Sequence, residues 1–184
     1  MKIEKSITIW FFVFIIMGEI LSGSLHARET GFAIPDPVKV TQLVNNAYFG
    51  ALRLGYYSGR YLDHNFGLSS VHDDSTKQSF TWITQRGSYE QLLGYWIFRA
   101  NTYQCWQAVR ANGPLILWNP ESHAKSNPED WELFVFEYAN PAGTEVFIRN
   151  IHGRYVRYAS PVFVCDADRA NAASFVPEFI PELD

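Results

Sequence analysis

The sequence predicts an all-β fold: a closed body of three four-stranded repeats with pseudo-threefold symmetry. Three observations predict it. First, a phrase of strand, tight turn and strand runs from Ile148 to Tyr158, with Gly153 at the turn, and is followed by Val162-Phe163-Val164-Cys165 and then Phe175. Glycine suits such a turn because it tolerates positive φ. The phrase occurs earlier as Leu52 to Leu62, with Phe80 in the place of Phe175, and in a degraded copy as Ile97 to Trp106, with Trp131 in the closing position. Second, the spacing repeats. Tyr61, Cys105 and Tyr155 stand 44 and 50 residues apart, and Phe80, Trp131 and Phe175 stand 51 and 44 apart. Extra residues around Ser122 to Glu129 account for the mismatch. A period of this size marks a repeated supersecondary unit. Third, no stretch after the N-terminal apolar run keeps a 3.6-residue apolar period, while Pro and Gly punctuate at short intervals.

The chain starts Met1-Lys2-Ile3-Glu4-Lys5, runs apolar from Ile7 to Met17, and then offers Ser22, Gly23, Ser24 and Ala27. That is the pattern of a signal peptide over 1–27, with an apolar run too short to span a bilayer. Residues 28–47 form a lead-in, where Pro35 and Pro37 oppose regular structure and Val38 to Val44 is either a short strand or a helix turn. The predicted β domain covers 48–184. Repeat one, about 48–92, has strands at Tyr48 to Leu54, Arg60 to Asp63, Leu68 to Val71 and Phe80 to Ile83, with a polar loop at His72 to Thr76. Repeat two, about 93–141, has strands at Tyr95 to Arg99, Cys105 to Val109, Leu115 to Trp118 and Trp131 to Phe136, with an Asn112-Gly113-Pro114 turn. Repeat three covers about 142–180. The recurring aromatics Tyr61, Phe80, Trp131, Tyr155 and Phe175 are expected in the core.

The net charge is -4, and removing 1–27 leaves it unchanged. No basic run is long enough to neutralise a phosphate backbone, which argues against nucleic acid as a partner. Aromatics are 16% of the chain and charged residues 18%, so rings fill a core and some reach the surface. Export, extracellular or periplasmic, would permit a disulfide between Cys105 and Cys165; two separately buried thiols is the other reading.

Repeat two reads Gln104-Cys105-Trp106, then Ala111-Asn112-Gly113-Pro114-Leu115-Ile116-Leu117-Trp118, then Asp130-Trp131-Glu132-Leu133. It resembles a unit of the ricin-B-type β-trefoil lectins, in which Cys-Leu-Asp, an Asn-Gly turn, a strand ending in Trp and a Gln-x-Trp closure recur. Here Asp130-Trp131 replaces the Gln-x-Trp closure. Gly153-Arg154-Tyr155-Val156 with Cys165-Asp166-Ala167-Asp168-Arg169 resembles a fascin-like repeat. The architecture is also similar to the cell-binding subunits of cytolethal distending toxins. These resemblances imply a β-trefoil and a role in binding.

Carried over residue by residue, the lectin pattern implies ligand contacts at Asp63, Gln107, Trp118 and Asn119. Carboxylates and amides would take sugar hydroxyls while a ring stacks on the apolar sugar face. Each has a structural alternative: Asp63 as a turn cap, Trp118 as core or barrel rim. Arg157 stands at the Asp position of repeat three, which weakens a sugar site there. His64, His72, His123 and His152 lack metal spacing, and no nucleophile-base set stands out. The expectation is therefore a secreted, non-catalytic binding module without cofactor, directed at a cell-surface glycan or glycoprotein. The alternatives are a delivery subunit that docks a catalytic toxin subunit through exposed Tyr56, Tyr57, Trp96, Trp106 or Trp118, and a protease inhibitor using the loop from Asn119 to Asp130. No transmembrane segment is expected once the leader is removed.

Overall fold

The computed structural model describes residues 35–69, 80–109, 113–119 and 128–181. The expected leader, the polar loop at 72–76, Asn112, His123 and most of the loop from Asn119 to Asp130 lie outside the described residues. The fold is all-β with a closed β-barrel.

Among the described residues, one helix precedes the strands. α1 spans Pro37–Val44. Asp36 caps it by accepting a hydrogen bond from the Val38 amide, and Pro37 sits at the first helical position. Proline is tolerated there because its missing N–H would have no intrahelical partner anyway. Of the two readings open for Val38 to Val44, the helix forms, and Pro37 starts it rather than opposing it. Val40 and Leu43 are fully buried against the barrel.

Twelve strands follow: β1 Gly50–Tyr56, β2 Arg60–Leu62, β3 Leu68–Ser69, β4 Thr81–Tyr89, β5 Leu92–Arg99, β6 Cys105–Ala108, β7 Gly113–Trp118, β8 Leu133–Tyr138, β9 Val146–Asn150, β10 Tyr155–Ala159, β11 Val162–Ala167 and β12 Ser174–Ile180. Among the described residues all strand pairings are antiparallel. β1 pairs with β4, β4 with β5, β5 with β8, β8 with β9, β9 with β12, and β12 returns to β1. That circuit is the barrel. β2–β3, β6–β7 and β10–β11 are hairpins attached to it. β7 also pairs with β11, so two of the hairpins join edge to edge.

Alternation places the core. In β1, Leu52 and Leu54 point inward; in β8, Phe134 and Phe136; in β11, Phe163 and Cys165. At the centre Trp106 meets Trp82 edge-on at 5.0 Å, Phe66 at 5.3 Å and Phe134 at 5.4 Å. The Phe163 amide donates to the Phe66 carbonyl at 2.7 Å, tying the first hairpin to the third. Of the five recurring aromatics, Tyr61, Phe80 and Phe175 are buried. Trp131 and Tyr155 are half-exposed. Trp131 packs against His152 with tilted rings 4.2 Å apart, and the Tyr155 hydroxyl donates to Glu137. Their outer positions are thus satisfied by surface partners rather than by the core.

The disulfide reading fails on geometry. Both cysteines are buried thiols that do not bridge. β7 lies between their strands, with Cys105 opposite Trp118 at one end and Cys165 opposite Gly113 at the other. Five residues along a strand separate them by about 16 Å, well beyond the roughly 7 Å Cα limit for a bridge. Burial pushes the Cys165 thiol up to about 12, and its Sγ donates to the Arg154 carbonyl at 3.2 Å.

Two glycines meet specific demands. Gly153 adopts φ 84°, as its predicted turn requires. Gly94 lets β5 approach β8: a Cβ there would lie 2.8 Å from the Phe134 carbonyl oxygen. Gly94→Ala is therefore expected to cost about 1–3 kcal/mol through backbone displacement at that seam, read as a lower urea midpoint with an unchanged slope.

Candidate functional site

The third hairpin carries the most fully built surface site. In β10, Val156 and Tyr158 face inward while Arg157 faces out; in β11, Val164 and Asp166 lie on the outer side. The register slips between Tyr155 and Val156: Val156 pairs with Cys165, but Tyr155 pairs with Ala167. Asp166 is left without an opposite residue. Such a bulge bends the strand and re-aims a side chain. Here it brings the Asp166 carboxylate alongside the Arg157 guanidinium, with Nε to Oδ1 at 2.6 Å and Nη2 to Oδ2 at 2.8 Å. The pair is bidentate, the geometry in which arginine and carboxylate bind most strongly.

Next to this pair the chain makes a 3-10 turn at Arg169–Asn171 before β12. Tyr56, Arg157, Tyr158, Asp166, Asp168, Asn171 and Ala173 line an open cleft of about 570 Å³. The tyrosines are braced from behind. Tyr56 lies 5.0 Å from Phe163 and 5.8 Å from both Tyr158 and Phe175, and Tyr158 lies 5.0 Å from Phe163. Burial, and then the neighbouring Tyr158, raises the Tyr56 hydroxyl above its ordinary value, so it stays a neutral donor and acceptor. Asp168 accepts from Arg154 at 2.8 Å on the rim. The cleft therefore combines fixed ring surface with carboxylate, amide and guanidinium groups.

A second groove, about 510 Å³, lies between α1 and the barrel beside Lys39, Gln42, Tyr48, Phe49, Ile83 and Ile180. Among the described residues, Lys39 is the one charged residue in its lining. It lacks the converging polar groups that orient a ligand.

The residues carried over from the lectin pattern do not assemble into one site. Asp63 Oδ1 accepts from the Asn65 amide at 2.8 Å and the Gly67 amide at 2.9 Å, so this carboxylate caps the turn into β3. Gln107 and Trp118 lie on the outer face of the β6–β7 hairpin, opposite the face of Trp106, Ala108 and Leu115, which are buried. Trp118 is 38% exposed and Asn119 follows it at the surface. The apolar run before Trp118 had suggested core or barrel rim as the alternative to a ligand contact; strand alternation turns its ring outward, away from the core. Of the aromatics named for partner docking, Trp96 and Trp106 are buried, Tyr56 is half-buried, and Tyr57 and Trp118 are exposed.

The repeat pattern pointed away from the cleft, because Arg157 stands where a lectin carboxylate was sought. The available signal was Asp166, an acidic residue on the facing strand of the same predicted hairpin. Its pairing with Arg157 depends on the bulge, which the spacing does not reveal.

Two outer networks stiffen the strands around the barrel. Tyr61 donates to Glu178 at 2.6 Å beside the Arg53–Glu178 ion pair. Tyr155 likewise donates to Glu137, which also accepts from Arg149. Burial alone would raise the Glu137 carboxyl, but hydrogen bonds from Arg149 and Tyr155 and the charges of Arg149 and Arg169 outweigh it and hold it below the usual value. Among the described residues no group of three or more His, Cys, Asp or Glu is placed to hold a metal ion, and no helix is long and apolar enough to cross a membrane.

No family model matches the sequence, and no curated protein matches it. Solved structures do. The chain is similar to the lectin SeviL, in a structure of SeviL bound to asialo-GM1 saccharide, with a TM-score of 0.52 and 14% identity. The match covers 71% of this chain and 97% of that one. It is also similar to a mutant GH54 α-L-arabinofuranosidase soaked with 4-nitrophenyl α-L-arabinofuranoside, with a TM-score of 0.54 and 16% identity. That match covers 71% of this chain and 31% of the enzyme, so the chain spans about a third of its length. Identities this low show a shared β fold and nothing of the ligand.

The Glu137 network sets a pH dependence. A carboxyl held low in the folded state adds stability above its unfolded value, near 4.5, and loses it as pH falls through the folded value. His64 acts in the same direction at higher pH. Burial, only partly offset by its hydrogen bond to the Thr81 carbonyl, lowers its pKa, so its contribution is present above about 6.5 and declines below. Urea midpoints are expected to fall on acidification, and Glu137→Gln is expected to flatten the part of that decline below about pH 4.5.

Proposed function

We propose that the chain is a β-trefoil carbohydrate-binding module that takes glycan in the third-hairpin cleft. Three features support the trefoil assignment. The barrel strands fall into the successive pairs β1 and β4, β5 and β8, β9 and β12, and each pair brackets one hairpin. Tyr61, Cys105 and Tyr155 lie at or next to the start of β2, β6 and β10. Phe80, Trp131 and Phe175 lie at the entries to β4, β8 and β12.

The observation that carries the glycan reading is the cleft's composition. Two braced tyrosines stand beside an Arg–Asp pair, Asp168 and the Asn171 amide. Sugars need an apolar surface for one face and paired donors and acceptors for the hydroxyls. The fold shared with a saccharide-bound lectin supports this reading. Trp118, with Gln107 and Asn119, offers a second ring platform on the neighbouring hairpin. The module is non-catalytic and acts outside the cytoplasm after loss of residues 1–27. The location rests on the apolar run from Ile7 to Met17 and the small residues after it, and the non-catalytic reading on a sequence in which no nucleophile-base set stands out.

A glycan array, followed by titration with soluble sugars, tests the proposal. Binding is expected in the millimolar to micromolar range, as suits an open cleft. Asn171→Ala is expected to weaken it about tenfold, and Trp118→Ala a fewfold, with thermal melts unchanged. A folded protein that binds nothing on the array or in millimolar sugar would overturn the reading.

A further inference from the structure

We infer that Asp166 is a specificity gate: by occupying Arg157 it reserves the cleft for neutral saccharides and turns acidic ones away. The inference rests on the glycan reading and adds the ligand class to it.

The argument starts from the hydrogen-bonding capacity of the pair. Both Asp166 oxygens engage Arg157, through Nε at 2.6 Å and Nη2 at 2.8 Å. Two of the five guanidinium N–H groups are used, so three remain, and both carboxylate oxygens keep a lone pair. The pair presents donors and acceptors side by side with no net charge. A hydroxyl both donates and accepts, so vicinal hydroxyls of a neutral sugar match both halves. A carboxylate or sulfate only accepts. It could use the remaining guanidinium donors, but it would face the Asp166 charge within the same few ångströms, and like charges at that range disfavour each other.

No other cation lining the cleft relieves this. Arg157 is the only Lys or Arg among the described residues that line it, against Asp166 and Asp168. Arg154 approaches the rim but pairs with Asp168 at 2.8 Å. Arg169, next in sequence to Asp168, turns away: it lies 5.0 Å over the Phe147 ring and donates to the Tyr138 carbonyl at 3.1 Å. The gate is also held in place. Asp166 is the bulged residue of β11, flanked by buried Cys165 and Ala167, so its side chain is fixed toward Arg157 by the strand itself.

The test uses an array of neutral glycans, each paired with its sialylated counterpart, and three proteins: the natural sequence, Asp166→Asn, and the double variant Asp166→Asn with Arg157→Gln. Asparagine keeps the side-chain shape and removes the charge. The natural protein is expected to favour the neutral member of each pair at least tenfold. Asp166→Asn is expected to gain sialylated-glycan binding at least tenfold, weakening as salt rises, and the double variant is expected to lose that gain. Circular dichroism melts show that each variant is folded. Equal binding of neutral and sialylated partners by the natural protein would overturn the gate and leave the glycan reading standing, as would an unchanged ratio in Asp166→Asn. Failure of the folded natural protein to bind either class would remove the glycan reading and the gate with it.

Discussion

Everything in this molecule depends on one pairing, the antiparallel seam between β1 and β12. Five residue pairs, from Ala51 with Ile180 to Gly55 with Val176, join the first barrel strand to the last. Without that seam the sheet would be open, with two long edges and an inner face of Leu, Phe and Trp exposed to water. With it the sheet encloses a core in which Trp106 contacts both Trp82 and Phe134. Closure also fixes where the hairpins stand, and the third hairpin brings Arg157, Asp166 and the tyrosines to one place.

Much of the fold was legible because strands write themselves in alternation and in turns. Gly153, the Tyr61, Cys105 and Tyr155 anchors, and the closing aromatics all fall at strand boundaries. Reading by analogy between repeats had limits. It placed Trp131 and Tyr155 in the core along with Phe175, yet both find their partners at the surface, His152 for one and Glu137 for the other. In the lead-in, Val38 to Val44 was open to a short strand or a helix turn, and the helix forms although Pro37 was expected to oppose regular structure. A proline breaks a helix from within but begins one comfortably, and Pro37 sits behind an Asp36 cap.

The candidate site was less legible than the fold. Motif transfer chose Asp63 because it follows Tyr61-Leu62 as the lectin Asp follows its Cys-Leu, and it passed over the third repeat because Arg157 holds that place there. Asp63 spends one carboxylate oxygen on two backbone amides of its own turn. The cleft arises instead from cooperation across strands: a bulge shifts the register by one residue, and a tyrosine from the end of β1 reaches a hairpin about a hundred positions later in the chain. Neither is a local pattern. Each follows only when the barrel has set which strands are neighbours.

The placing of the two cysteines has a chemical consequence. A thiol attacks disulfides as its thiolate, and burial, which pushes the Cys165 pKa up to about 12, disfavours that form at neutral pH. The folded protein therefore presents neither a bridge to reduce nor, at Cys165, a sulfur ready to react. Its stability is expected to be indifferent to the redox potential around it, and the same barrel would serve equally in an oxidising or a reducing medium.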